Sequence, residues 1–183
     1  MEIVFIRHAE KERGDEDLSL SEKGREQAKN LADRLKKEHF DEIYCSSLKR
    51  AIETADFISK EIKIEPGIES SLNEFESNLL KIKEEEWDEK SKNQYRSLKF
   101  LINNFTKRAE EDKRILIIAH GITNRLILAM LLELELKNLI RFRLLETAIC
   151  EVYWMPKFRN WRLKYWGDVS HQPRELVEGK NKY

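Results

Sequence analysis

The chain has only two cysteines in 183 residues, Cys45 and Cys150. Neither belongs to a Cys-x-x-Cys pair, so nothing in the thiols supports a metal or redox site. Cys45 ends an apolar run and reads as a small buried side chain. Net charge is missing too, with 34 basic residues against 34 acidic ones. That balance argues against a general nucleic-acid surface or a polybasic membrane surface, while a local basic pocket stays open. No apolar run approaches the roughly 20 residues that span a bilayer. The first residues enter a strand at once and leave no room for a signal peptide, so the expectation is a cytoplasmic protein. Only six glycines accompany abundant Lys and Glu, a composition in keeping with a heat-adapted source. The length suits one domain, 1–183, large enough to bury a good core.

What is present alternates between two periods. Ile3-Val4-Phe5-Ile6 is a short, β-branched run that reads as a buried strand and stops abruptly in Arg7-His8. After a polar loop, Ser21 is a plausible N-cap, and Ala28, Leu31, Ala32 and Leu35 mark one apolar helix face. Glu42 to Cys45 reads as a second strand. Ser46-Ser47 then stand ready to cap a helix whose apolar positions are Leu48, Ala51, Ile52, Ala55 and Ile58. Lys49 and Arg50 fall in its first turn, where positive charge opposes the helix dipole. A local rule broken at a strand-to-helix junction marks a candidate functional position. Ile62 to Glu65 reads as a short third strand ended by Pro66-Gly67.

Residues 66–113 read as a polar, mostly helical excursion, with a Glu/Lys run from Lys81 to Lys92 around Trp87. Within it, Tyr95, Leu98, Ile102, Phe105 and Ala109 mark an amphipathic helix. Arg114 to Ala119 is the strongest strand and ends in His120-Gly121. A buried helix follows through Leu134, and Ala148–Trp154 with Trp161–Trp166 reads as a closing hairpin or an edge pair. The tail after Gly167 is polar and reads as loose. The class is therefore α/β, three-layered, with a mostly parallel sheet, helices on both faces and the helical excursion over the active site.

Right-handed crossovers bring the carboxyl ends of parallel strands to one edge of the sheet. Arg7-His8, Ser46 through Arg50 and His120-Gly121 then share one pocket. Guanidinium forks suit phosphate or carboxylate oxygens, and helix N-termini add backbone N–H donors. A neutral imidazole is a competent nucleophile near pH 7. Together these are the parts for phosphoryl transfer onto a histidine.

Several motifs in order carry a resemblance to the histidine phosphatase superfamily, in its phosphoglycerate-mutase-like branch. Arg7-His8-Ala9-Glu10 resembles that family's Arg-His-Gly-Glu signature. Asp17-Leu18-Ser19-Leu20-Ser21 through Gly24, Gln27 and Ala28 is similar to its Asp-x-Pro-Leu-Thr-x-x-Gly-x-x-Gln-Ala run. Ser46 to Ala55, Leu72-Asn73-Glu74 and Ile118-Ala119-His120-Gly121 resemble three further motifs. The resemblance implies that His8 attacks phosphorus and becomes phosphohistidine. Arg7, Arg50 and His120 would bind the phosphoryl oxygens, with Gly121 beside them on the substrate-binding edge. Glu74 would protonate the leaving oxygen and then activate water. Spacing alone does not separate Glu74 from Glu10, Glu69 or Glu76. No metal and no cofactor is implied, and the partner is a small phosphorylated substrate rather than nucleic acid or membrane.

The departures from the family pattern bear on outcome. Ala9 replaces the usual glycine, and Gly14 stands where many members carry a phosphate-holding asparagine. The loop from His8 to Asp17 is shorter than in the glycolytic mutases, and the Gly-rich, Trp-containing continuation after Glu74 is missing. The expectation is a metal-independent phosphomonoesterase. The alternatives are a cofactor-dependent mutase that returns the phosphoryl group to its substrate, and a non-catalytic phosphate- or partner-binding module on the same fold. A metallohydrolase on His8 and His120 lacks a ligand cluster at metal spacing.

Overall fold

The structure, a computed structural model, describes residues 1–14, 17–76 and 84–177. Among these, the strands are β1 (Glu2–Arg7), β2 (Glu42–Cys45), β3 (Gly67–Ile68), β4 (Arg114–Ala119), β5 (Ile149–Met155) and β6 (Asn160–Asp168). They form one sheet in the order β3-β2-β4-β1-β5-β6. The pairings β3–β2, β2–β4 and β4–β1 are parallel, while β5 runs antiparallel to β1 and β6 antiparallel to β5. The helices are α1 (Glu22–Leu35), α2 (Lys49–Ile62), α3 (Glu89–Thr106), α4 (Gly121–Leu132) and the short α5 (Arg174–Val177). The α/β architecture, its mostly parallel sheet and the closing hairpin are as the sequence leads one to expect.

The two-residue period of the strands sorts the core into two layers. Val4, Ile6, Leu116 and Ile118 pack with Leu31 and Leu35 of α1 and Ala51, Ala55 and Ile58 of α2. Ile3, Phe5, Ile115 and Ile117 face the other way, against Leu98 and Ile102 of α3 and Leu126 and Ile127 of α4. Strands covered on both faces need apolar residues at every position, which is why β1 and β4 are unbroken apolar runs. Each fully buried Leu or Ile contributes about 1.5–3 kcal/mol.

Part of the charged run at 81–92 falls on residues 81–83, outside the described set. In the described part Glu84, Glu85 and Glu86 are exposed, whereas Trp87 turns inward. Its ring meets the edge of Tyr95 at 5.1 Å, anchoring the excursion to the α3 side of the core.

Three local expectations are corrected. The third strand is not Ile62–Glu65. Helix α2 continues through Ile62, and Lys63 closes it in the left-handed region at φ 61°, its N–H on Ser59 O. Pairing with Tyr44 and Cys45 begins only after Pro66, at Gly67–Ile68. Ser46 and Ser47 do not occupy the N-cap of α2; Leu48 does, without a side-chain cap bond. The carboxylate of Asp17 takes the capping role from a distance, accepting the Lys49 N–H at 3.0 Å. The segment after Gly167 is not loose as far as Val177. Gln172 Nε2 donates to Gln27 O at 2.7 Å and to Thr147 Oγ1 at 3.0 Å, and Gln27 Nε2 donates to Leu176 O at 2.8 Å. These buried amides clamp the segment onto α1 and onto Thr147, a β-branched residue held at φ 58°.

Helix α1 starts as its motif suggests, with Ser21 Oγ accepting the Gly24 N–H at 3.0 Å. Gly24 also lies against the loop that follows β1, and a Cβ there would stand 1.9 Å from Glu10 O. Backbone rather than a flexible side chain blocks the space, so the loop must move for any larger residue to fit. Gly24→Ala should therefore lower stability by about 1–3 kcal/mol, read as a fall in the urea midpoint at unchanged slope. An unaltered midpoint would mean that this contact is not tight in solution.

Candidate active site

Strand register builds the site. Arg7 pairs with Ala119 across β1 and β4, and the His8 N–H extends that ladder to Ala119 O at 2.9 Å. His8 and His120 therefore leave the sheet side by side, with ring centroids 4.9 Å apart. On the other flank Cys45 pairs with Ile118, so the next residue, Ser46, comes beside His120, its Oγ 2.7 Å from His120 Nε2. Arg50, in the first turn of α2, reaches across and donates from Nε to His8 Nε2 at 3.1 Å. The three side chains are buried, with residue exposures of 5 % for His8, 9 % for Arg50 and 0 % for His120.

Glu74 joins from the connection after β3. Its carboxylate accepts the N–H of Gly121 at 3.1 Å and of Ile122 at 3.0 Å, so it sits on the amino end of α4. Two orphan donors and the positive end of the helix dipole hold it there. Gly121 thus contributes its N–H to the site, bonded to Glu74 in this state. The carboxylates left open by spacing separate here: Glu10 accepts from Ser21 Oγ and pairs with Lys23 at 3.3 Å, and Glu69 and Glu76 make none of these contacts to α4.

Arg7 is held from behind. Nη1 donates to Leu144 O at 2.7 Å and Nη2 pairs with Glu146 at 2.7 Å, while its buried Nε has no hydrogen-bond partner among the described residues. Neither arginine presents an open fork in this state. Arg50 has its Nε on His8 and Nη1 3.6 Å from Asp17. Buried guanidiniums hold whatever acceptors the fold offers, because an unpaired buried charge is costly.

A ring of supporting residues was not assigned roles by sequence reasoning. Asp17 binds the Lys49 N–H and neighbours Arg50. Thr54 Oγ1 donates to Arg50 O at 2.6 Å and accepts the Ala9 N–H at 3.1 Å, tying the first turn of α2 to the β1 loop. Asn73 Oδ1 lies 2.8 Å from Ser46 Oγ and accepts the Ser47 N–H at 3.0 Å. Asp17 and Thr54 lie inside recognisable motifs, so a signal existed for them. Asn73 holds the unspecified middle position of the Leu72-Asn73-Glu74 motif, and Glu146 lies in no motif, so neither carried a signal of its own.

Electrostatics set distinct proton states. Burial, Arg7 and Arg50 hold the His8 imidazole well below its usual pKa, so it is neutral near pH 7. Burial holds His120 well below as well, aided by His8, Arg50 and Arg7. Burial raises Glu74 above the ordinary carboxylate value, although the Ile122 N–H and both arginines pull the other way. The site therefore combines two neutral imidazoles, fixed cations and a carboxyl group inclined to keep its proton, titratable groups pushed apart by their environments.

The family model for the histidine phosphatase superfamily (branch 1) matches residues 3–106 and 99–169. A phosphoglycerate mutase-like protein 4 of Arabidopsis thaliana is 28 % identical, the match covering 93 % of this chain and 86 % of that protein. A phosphoserine phosphatase 1 of Hydrogenobacter thermophilus is 37 % identical over a shorter stretch, 43 % of this chain and 41 % of that one. Among solved structures, a phosphoserine phosphatase of Entamoeba histolytica bound to 3-phosphoglyceric acid superposes with a TM-score of 0.75 at 22 % identity, covering 93 % of this chain and 98 % of that one. This last likeness is one of fold.

The histidine proton states predict an acid sensitivity. Unfolded imidazoles titrate near ~6.5, whereas the folded chain holds His8 and His120 well below that, and His171, whose buried ring nitrogens have no hydrogen-bond partner among the described residues, at about 4. As pH falls below the unfolded value, the unfolded chain takes up protons that the folded one refuses. Stability is therefore complete above that value and declines beneath it. Urea midpoints should drop between pH 7 and pH 5, and His171→Gln should flatten the drop. A wild-type midpoint indifferent to pH across that range would contradict this assignment.

Proposed function

The chain belongs to the histidine phosphatase superfamily, branch 1, and from that premise we propose that it hydrolyses a small phosphate monoester through a phosphohistidine formed on His8. One observation carries the reading. His8 Nδ1 lies 2.6 Å from Ala9 O, and a carbonyl oxygen only accepts, so the proton of the neutral ring sits on Nδ1. Nε2 then keeps its lone pair, which receives the Arg50 Nε–H at 3.1 Å. An incoming phosphoryl group takes over that hydrogen bond through its oxygens and leaves Nε2 free to attack phosphorus.

In the first step the Nε2–P bond forms as the P–O bond to the leaving group breaks. The leaving oxygen takes the bonding pair and the proton of Glu74. In the second step water attacks phosphorus while the Glu74 carboxylate accepts its proton. The P–N bond breaks, its electrons return to Nε2, and inorganic phosphate departs. Arg50, the free Nε of Arg7 and His120 face the phosphoryl oxygens, with the Gly121 N–H at the same edge. Donors fixed in advance act where charge develops, with no reorganisation at the moment of reaction.

A pocket of about 380 Å³ adjoins Glu74 and is lined by Ser70, Asn73, Glu76, Lys90 and Gln94. Charged and amide groups line it beside Leu48 and apolar side-chain stems, which suits a small leaving group with both carbon and polar substituents, in keeping with relatives named for phosphoserine. No step requires a metal ion, and among the described residues no group of three or more His, Cys, Asp or Glu stands together as a ligand set. The proposed location is the cytoplasm; among the described residues no helix is long and apolar enough to cross a membrane.

His8→Ala should abolish turnover of p-nitrophenyl phosphate, and acid-labile label from a phosphorylated substrate should attach to the wild type alone. Wild-type turnover should persist in EDTA and release inorganic phosphate without a bisphosphate primer. Label retained by the variant would move the nucleophile elsewhere. Interconversion of 2- and 3-phosphoglycerate with little phosphate release would favour the mutase reading.

Glu74→Gln should slow single-turnover phosphorylation by alkyl phosphates about 10²–10⁴-fold, and by aryl phosphates less, because a phenolate leaves with little help. Equal losses on both leaving groups would remove the proton-donor role.

A further inference from the structure

His120 Nε2 and Ser46 Oγ lie 2.7 Å apart, and either atom could supply the proton between them. The next contact decides which does. Asn73 Oδ1 accepts the Ser47 N–H at 3.0 Å, which identifies it as the carbonyl oxygen and not the amide nitrogen. That oxygen has no proton to give, yet it lies 2.8 Å from Ser46 Oγ. The Ser46 hydroxyl proton must therefore point at Asn73, since otherwise two oxygens would face each other at hydrogen-bond distance with no proton between them. Ser46 Oγ also accepts the Leu48 N–H at 3.2 Å. It has no proton left for the imidazole, so His120 Nε2 must donate.

We propose that Asn73 and Ser46 are positioning residues that hold neutral His120 as its Nε2–H tautomer, and that His120 gains a proton on Nδ1 when a phosphoryl oxyanion binds. Nδ1 lies on the ring edge opposite Ser46. It is buried and has no hydrogen-bond partner among the described residues. Ser46 follows β2 and His8 follows β1, the two strands that flank β4, so the His120 ring stands between these residues, its centroid 4.9 Å from that of His8. A bare lone pair repels an oxyanion, so this tautomer contacts a phosphoryl oxygen favourably only after taking up a proton from solvent.

The charged and titratable groups around the ring are Arg7 and His8 from the end of β1, Arg50 from α2 and Glu74 from the connection after β3. In the free protein burial, reinforced by the two cations, keeps His120 neutral. A dianion placed among them offsets both cations and favours the imidazolium.

Asn73 is suited to this role by its other bonds. Its backbone oxygen accepts Thr123 Oγ1 at 2.9 Å and Gln94 Nε2 at 2.8 Å, which fastens it to α4 and α3. It also immediately precedes Glu74, so one residue fixes both the position of the proposed acid and the proton of the second histidine.

The inference rests on the phosphatase reading only for its kinetic consequence, and the test separates the two. In protein with ¹⁵N-labelled histidine, with the His120 signals assigned by their loss in His120→Gln, the free wild type should show Nε2 protonated and Nδ1 bare. Saturation with tungstate, a dianion that carries no proton, should convert His120 to the form protonated at both nitrogens. Asn73→Ala frees the Ser46 proton to turn towards Nε2 and should shift the neutral ring towards Nδ1–H. Ser46→Ala should yield a mixture of tautomers, and Ser46→Thr should restore the wild-type pattern. Both alanine variants should lose about 10–100-fold in kcat/KM. A wild-type ring protonated on Nδ1 would overturn the proposal, as would an unchanged tautomer in both alanine variants or a bare Nδ1 in the tungstate complex. Absence of ester turnover would defeat the phosphatase reading while leaving the tautomer result readable.

Discussion

The site depends on the parallel, in-register pairing of β1 with β4. Arg7 lies opposite Ala119, so the first residue beyond each strand is a histidine and the two rings meet at 4.9 Å. Slipping that register by one residue would reverse the faces of all the apolar side chains in β1, exchanging Ile3 and Phe5 with Val4 and Ile6. Both layers of the core therefore oppose the slip. The forces that bury the sheet also place the two imidazoles, and no local interaction at the site has to do so. Strand β2, paired with β4 on the opposite flank, brings Ser46 to the same edge by the same logic.

Around that edge the fold brings opposed electrostatic demands together. Two arginines and two amino-terminal N–H groups of α4 make a cluster of donors suited to an anion. The free protein occupies part of it with its own groups: Glu74 on the Gly121 and Ile122 N–H donors, Glu146 on Arg7, and His8 Nε2 on Arg50. Each of these contacts leaves a donor that an incoming phosphoryl group can engage by exchange. The pattern keeps cations from being buried unpaired before substrate arrives, and it brings the carboxyl group proposed as the acid next to the oxygens it would serve.

The support for this edge comes from remote parts of the chain. Thr54 ties α2 to the loop after β1, and Gln27 accepts the Glu10 N–H at 2.9 Å. Gly24 lets that loop approach α1 more closely than any side chain would allow. Gln172 bridges Gln27 and Thr147, the residue whose N–H bonds Arg7 O at 3.0 Å. The segment after β6 is thus part of the frame behind Arg7, although its composition reads as that of a solvated tail.

By itself the sequence determined the alternation of strands and helices, the two apolar runs that end in histidine, and the candidates Arg7, His8, Arg50 and His120. These features are local: strand and helix periods differ, and charge at the end of a buried run has few places to go. Glu74 was legible only through a resembling motif, because a lone carboxylate among Glu69 and Glu76 has no distinguishing period. Tertiary structure alone decided that Glu74 sits on α4, that Asn73 meets Ser46, and that Glu146 and Leu144 hold Arg7 from 137 or more residues away. It also moved β3 beyond Pro66 and docked the segment through Val177. Hydrogen-bond partners distant in the chain leave no periodicity behind. The partner of His120 Nε2 is Ser46, 74 residues away, whereas His8 Nδ1 meets the carbonyl of its own neighbour Ala9, so only the first of these contacts belongs wholly to the tertiary structure.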